Sequence, residues 1–269
     1  MALQTSYPVE GAHDAWFKDR LQRGEKLIGL WLSLGSPVAA EIAAAAGFDW
    51  VLIDTEHAPN ELPDVVSQLR ATTSGSACAV VRPAWNDPVL IKRLLDVGAQ
   101  TLLIPFVNSV DEALRAVAAT RYAPRGIRGF SGCTRANNYG RMTDYAQNSE
   151  RRICVIVQLE TQRALEQLDQ IATVAGVDGV FIGAADLSVE MGYPGKVSHP
   201  AVWQLVTRAA ARLRALGKPA GILLSSAEDI RLALAAGFSL VAVGSDARLL
   251  VTAVDRLAAD WKPAGGAAT

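Results

Sequence analysis

The sequence predicts an α/β fold, a closed (β/α)8 (TIM) barrel, and three observations carry that prediction. Short apolar runs rich in β-branched residues alternate with longer Ala- and Leu-rich stretches eight times along the chain. The short runs are continuously apolar, as strands are when helices cover both faces of a parallel sheet. A Gly also recurs shortly before a strand, in AGFDWVLID, VGAQTLLIP, AGVDGVFIG and AGFSLVAVG, where it suits the left-handed position that follows a helix. The 269 residues fit one such domain. An open doubly wound sheet is the alternative. It would carry a glycine-rich dinucleotide loop after its first strand, and SLGSP is a poor match.

Taken in order, the expected strands are LIGLWLS (27–33), WVLIDTE (50–56), CAVVRPA (78–84) and TLLIPFV (101–107). They continue with ICVIVQLE (153–160), GVFIGAAD (179–186), AGILLS (220–225) and LVAVGSD (240–246). Stretches such as PVAAEIAAAAG, DPVLIKRLLDVG and HPAVWQLVTRAAARLRALG have helical periodicity. Residues 1–15 read as an N-terminal extension, 16–262 as a single catalytic barrel and 263–269 as a loose tail.

Half the residues are hydrophobic and the formal charge is −1, so the chain lacks the basic excess that phosphate contacts along a nucleic acid require. No apolar run reaches the length of a membrane span, and the first residues lack the basic and apolar regions of a signal peptide. Cys78, Cys133 and Cys154 are odd in number, widely spaced and in no CxxC arrangement. They read as reduced thiols in a cytoplasmic protein.

In a barrel of this kind the active site lies at the carboxyl ends of the strands. The polar residues expected there are Asp54, Glu56 and His57 after strand two, Arg82 after strand three, and Gln158 and Glu160 after strand five. Asp186 follows Gly183, Ala184 and Ala185 after strand six, and Ser245 and Asp246 end strand eight. Period-two alternation puts Asp54 with Glu56, and Gln158 with Glu160, on one side of their strands. Each residue alone has a plainer reading. An Asp past a strand serves as a helix cap, an Arg in VVRPA pairs or snorkels, and His57 fills a loop. Glu160 is the least comfortable of them, because Glu is depleted from strands. Two carboxylates on neighbouring strands, Glu160 and Asp186, describe a site for a hard divalent ion, Mg2+ or Mn2+, completed by water and a chelating substrate. A nearby Arg and a His–Asp pair would add charge stabilisation and proton transfer. None of the lysines, at 18, 26, 92, 196, 218 and 262, ends an expected strand inside the barrel, which argues against a Schiff-base mechanism.

The segments IDTEHAPN, VVRPAWNDP, RYAPRGIRG, VQLET and GVFIGAADLS, in this order and spacing, resemble the metal-dependent (class II) 2-oxo-acid aldolases of the HpcH/HpaI type. Within that group the resemblance is strongest to 4-hydroxy-2-oxoheptanedioate aldolases and 2-keto-3-deoxy sugar-acid aldolases, and it runs from about Phe17 to about Leu257. It implies a lyase of aromatic or sugar-acid catabolism that cleaves or forms 4-hydroxy-2-oxo acids through a pyruvate enolate and an aldehyde. It implies Mg2+, Mn2+ or Co2+ held by Glu160 and Asp186, Arg82 beside the enolate oxygen, and His57 as the acid/base, oriented by Asp54. Gln158 and the backbone at Ala184 and Ala185 would contact the 2-oxo acid. Glu56 and Asp96 would support the site, Asp96 from a neighbouring subunit. The resemblance also implies a homo-oligomer, a trimer or hexamer, with the last helix exchanged between subunits. The chain departs from the family at Thr55 and Ala184, where many relatives have Gly and Pro, and in the loop 126–140, expected to contact the far end of the substrate. Arg125, Arg128, Arg135 and Arg141 make that loop basic, which suits either an acidic distal group or a solvated surface. Other readings are a citramalyl- or malyl-CoA lyase-like enzyme, a phosphate-binding barrel using VGSD, and a non-catalytic binding protein on the same scaffold.

Overall fold

The computed structural model describes residues 12–262. Eight parallel strands close into a barrel in chain order. They are β1 (Leu27–Leu32), β2 (Trp50–Asp54), β3 (Cys78–Arg82), β4 (Thr101–Ile104), β5 (Cys154–Leu159), β6 (Gly179–Ile182), β7 (Ala220–Leu223) and β8 (Leu240–Ser245). All eight expected strands are present, and each stops one to four residues before its apolar run ends. The causes are local. Pro83 and Pro105 lack the N–H that a ladder needs, and residues 184–186, expected as strand, begin the helix Ala184–Glu190.

Side chains alternate along each strand between the barrel interior and the helices outside. Val51, Ile53, Val81, Ile104, Val157 and Ile182 join the outer core under the helices. Leu27, Trp50, Leu52, Cys78, Val80, Cys154, Ile156 and Phe181 fill the interior. Trp50 fits there because Gly29 lies on the neighbouring strand; a Cβ at Gly29 would run into the indole ring. Helix Ala12–Gln22 closes the amino-terminal end of the barrel with the fully buried Phe17 and Leu21. Residues 12–15, expected in the N-terminal extension, therefore belong to this helix; the rest of the extension and the 263–269 tail lie outside the described residues. The four glycines of the sequence refrain, Gly47, Gly98, Gly176 and Gly237, all have the expected positive φ, between 94° and 108°.

Two features place surfaces away from where a simple barrel would put them. Residues 126–140 run from the end of helix Val110–Thr120 towards helix Tyr145–Arg152, which leads into β5, so they lie at the amino-terminal end of the barrel. Lys18 of the closing helix donates to the carbonyls of Glu150 and Ile153 there, and Arg135 donates to the carbonyl of Val97 at 3.2 Å. The loop therefore cannot contact substrate in its own chain's site, contrary to expectation. Arg125 pairs instead with Glu150 and the buried Arg128 with Asp96, each at 2.9 Å. The second feature is the last helix, Asp246–Trp261, of which only Asp246 is buried, while Leu250, Val254 and Leu257 are exposed and Trp261 is 81% exposed. Among the described residues, no helix is long and apolar enough to cross a membrane.

The close approach at Gly29 gives a direct test. Gly29→Ala should destabilise the fold by about 1–3 kcal/mol, read as a lower urea midpoint at unchanged m-value.

Candidate active site

Continuing the inward positions of β2, β3 and β5 by two residues from Leu52, Val80 and Ile156 reaches Asp54, Arg82 and Gln158. At the carboxyl-terminal end the barrel interior thus turns from apolar to polar. Asp54 and Arg82 are register partners on adjacent strands. The Arg82 guanidinium donates through Nε to Asp54 Oδ1 at 2.9 Å and through Nη2 to Oδ2 at 2.6 Å. Trp31 of β1 completes this layer: its indole N–H donates to Asp54 Oδ2 at 3.1 Å, and its ring lies 4.9 Å from the guanidinium carbon. Burial alone would raise the Asp54 pKa, but the hydrogen bonds and charge of Arg82, with help from the Glu56 N–H and Trp31, hold it below the usual value.

The loop after β2 is fixed from three sides. Thr55 donates to the carbonyl of Arg82 through both its N–H and its hydroxyl. Buried Asn60 donates to the carbonyl of Asp54 at 2.6 Å and accepts from Gln68 at 2.7 Å. Glu56 is thereby held with Oε2 2.8 Å from Arg82 Nη1, an ion pair without hydrogen-bond alignment. Burial raises the Glu56 pKa against the opposing charges of Arg82 and His57.

His57 stands exposed at the mouth of the barrel. The expectation that Asp54 holds its imidazole is corrected here. Asp54 is saturated by Arg82, Trp31 and two backbone N–H groups, one of them His57's own at 3.4 Å. The carboxylate nearest the imidazole is Glu56, with Oε2 3.8 Å from Nε2.

On the opposite side, Glu160 follows β5 and is buried. Its Oε1 accepts from the Gln158 amide and its Oε2 from the Phe106 N–H at 3.0 Å. Gly183 makes room for it: a Cβ there would lie 2.6 Å from Glu160 Oε1. Asp186 is half-buried in the first turn of helix Ala184–Glu190, with Ala184 buried and Ala185 exposed beside it. Burial, reinforced by the negative charges of Glu56 and Asp186, pushes the Glu160 pKa up to about 8. Asp96 lies at the far end of the barrel in its own chain, where it accepts from Arg128 at 2.9 Å. Trp31, Phe106, Asn60 and Gly183 were missed from the sequence. Only Trp31 carried a signal, being an inward position of β1 by the same period-two count that reaches Asp54 on β2.

A divalent cation suits this arrangement. Glu160 is a buried carboxyl crowded by other carboxyls, and Gln158 Oε1 is buried with no hydrogen-bond partner. The donors are all oxygens, as hard cations prefer. Among the described residues no group of three or more His, Cys, Asp or Glu side chains could hold a metal ion. An ion bound among these carboxyls would thus take its remaining ligands from water or substrate oxygens.

The fold and this constellation define an α/β barrel whose strand ends gather buried carboxyls, an ion-paired arginine and an exposed imidazole at one mouth. The sequence profile of the HpcH/HpaI aldolase/citrate lyase family matches residues 27–253. The chain is 51% identical to a pyruvate aldolase of Rhizobium etli, covering 90% of this chain and 96% of that protein. It is 51% identical to a 4-hydroxy-2-oxo-heptane-1,7-dioate aldolase of Escherichia coli, covering 90% of this chain and 93% of that protein. The crystal structure of an HpcH/HpaI aldolase/citrate lyase family protein from Burkholderia cenocepacia J2315 superposes with a TM-score of 0.88 at 39% identity, covering 92% of this chain and 99% of that one. The chain belongs to the HpcH/HpaI aldolase/citrate lyase family and is an aldolase, a carbon–carbon lyase.

The raised pKa of Glu160 has a consequence for stability. Because the folded state favours the protonated acid, its stabilising contribution is fully present below the unfolded pKa and is lost as pH rises through the folded value. In chelator-treated protein the urea midpoint should therefore fall from about pH 5 to about pH 8, and Glu160→Gln should remove most of that slope.

Proposed function

We propose that this chain is a divalent-metal-dependent aldolase that cleaves or forms 4-hydroxy-2-oxo acids, with pyruvate or a related 2-oxo acid as one partner and an aldehyde as the other. The observation that carries this reading is the juxtaposition of a carboxylate-rich pocket, Glu160 with Asp186 and Glu56, and one arginine pinned by Asp54. When bound by Glu160 and Asp186, Mg2+, Mn2+ or Co2+ supplies Lewis-acid polarisation of a ketone oxygen.

The chain's own residues do the rest. The Asp54–Arg82 pair keeps a positive charge at a fixed place, so it favours negative charge that develops on the ketone oxygen during bond cleavage. His57, at the open mouth and beside Glu56, accepts the proton of the C4 hydroxyl. The C3–C4 bond then breaks, the aldehyde leaves with the new carbonyl, and the bond's electron pair passes into the pyruvate enolate. Protonation at C3 gives pyruvate. Gln158, whose buried Oε1 has no hydrogen-bond partner, and the backbone at Ala184 and Ala185 contact the 2-oxo acid.

The working form is a homo-oligomer, a trimer or hexamer, in which a second copy covers the apolar side of Asp246–Trp261. Support comes from that exposed side and from Val38 and Ile42, exposed on helix Pro37–Ala45, the other flank of the wall that a last barrel helix normally fills. In that assembly Asp96 and residues 126–140 of one copy approach the site of another.

Three outcomes test the chemistry. Pyruvate release from 4-hydroxy-2-oxo acids should be abolished by EDTA and restored by Mg2+ or Mn2+, while borohydride with pyruvate should leave the enzyme active. His57→Ala should slow turnover roughly a hundred- to ten-thousandfold without changing Mn2+ affinity; unchanged turnover would remove His57 from the mechanism.

A further inference from the structure

Phe106 follows Pro105 at the end of β4 with φ 50°, in the left-handed region, where a bulky side chain is an outlier. That conformation turns its backbone into the site. The Phe106 N–H donates to Glu160 Oε2 at 3.0 Å, and the next N–H, of Val107, donates to the Gln158 carbonyl at 3.0 Å. The loop is stapled further by Asn108, which donates to the Phe106 carbonyl at 3.1 Å and accepts from Thr161 at 2.6 Å. Glycine is the residue that ordinarily fills such a position. What a phenylalanine adds is a ring, and that ring stacks on Trp85 with centroids 5.4 Å apart and planes at 27°. Trp85 is 54% exposed, so core packing does not explain an indole there.

We propose that Phe106 is a positioning residue for Glu160 and that the Trp85 stack holds Phe106 in the conformation that aims its N–H at the carboxylate. Each Glu160 oxygen then has one donor, Gln158 on Oε1 and Phe106 on Oε2, which fixes the plane of the carboxylate before any ion arrives. Because Trp85 is joined to β3 three residues after Arg82, the stack also ties the strand bearing the arginine to the loop that orients the carboxylate. The inference rests on the reading of Glu160 as a metal ligand.

The test is Mn2+ binding to substrate-free enzyme, followed by the electron paramagnetic resonance of free Mn2+. Trp85→Ala and Phe106→Ala should weaken Mn2+ binding about tenfold, the scale on which groups that orient metal ligands act. Trp85→Phe, which keeps an aromatic face, should bind close to wild type, and circular dichroism should show all three variants folded. Phe106→Gly, which adopts the left-handed conformation without a ring, should lose less than Phe106→Ala. Wild-type affinity in Trp85→Ala, or an equal loss in Trp85→Phe, overturns the clamp. Glu160→Gln separates the two levels. If it binds Mn2+ like wild type, the metal reading falls and this inference with it; if it loses Mn2+ while Trp85→Ala does not, only the clamp falls.

Discussion

The mouth of this barrel depends on one buried ion pair, Arg82 with Asp54. Taking both charges out of water costs several kcal/mol each, recovered only when geometry and further hydrogen bonds are good. Here two parallel N–H donors meet two carboxylate oxygens, and Trp31 and two backbone N–H groups use the remaining lone pairs. The pair is therefore rigid, and its rigidity has two effects. Arg82 becomes a fixed charge that need not reorganise during a reaction. Asp54 becomes unavailable to the imidazole, which leaves Glu56 as the carboxylate closest to His57.

Charge around that pair is unbalanced. Arg82 is the one guanidinium paired with Asp54 and Glu56, and on Glu160 burial, reinforced by the negative charges of Glu56 and Asp186, raises the pKa to about 8. A carboxyl in that condition is poorly solvated and repelled by its neighbours. The protein nevertheless invests structure in holding it, through the space left at Gly183, the Gln158 amide and the Phe106 N–H. Holding a carboxyl in that condition costs stability, a pattern found where a site is pre-organised for function.

The same strand ends also launch the last helix. Asp246, its first residue, accepts from the N–H and hydroxyl of Ser33 and from the N–H of Leu34. Its carboxylate thus ties the end of β8 to the loop after β1, and from Arg248 onward the helix is exposed. In the sequence Asp246 read equally well as a helix terminus or as a site residue. In the fold it is a tether.

The sequence by itself determined the barrel and the residues at its mouth. The eight strands were legible because continuous apolar runs need cover on both faces, and the helix ends because Gly47, Gly98, Gly176 and Gly237 permit a left-handed turn. Period-two alternation likewise put Asp54 with Glu56, and Gln158 with Glu160, on one side. Tertiary structure alone decided who partners whom. Asp54 and His57 are close in sequence, yet a register partner on the next strand, Arg82, takes the carboxylate. The loop 126–140 looks like a substrate loop in sequence, yet the run of the chain between a helix end and a strand start carries it to the opposite face. Phe106 and Gly183 gave no sign in the sequence because their roles lie in a backbone N–H and an absent Cβ. Local composition fixes periodicity and turns, but hydrogen bonds across strands depend on register and closure, which exist only once the sheet has met its own first strand.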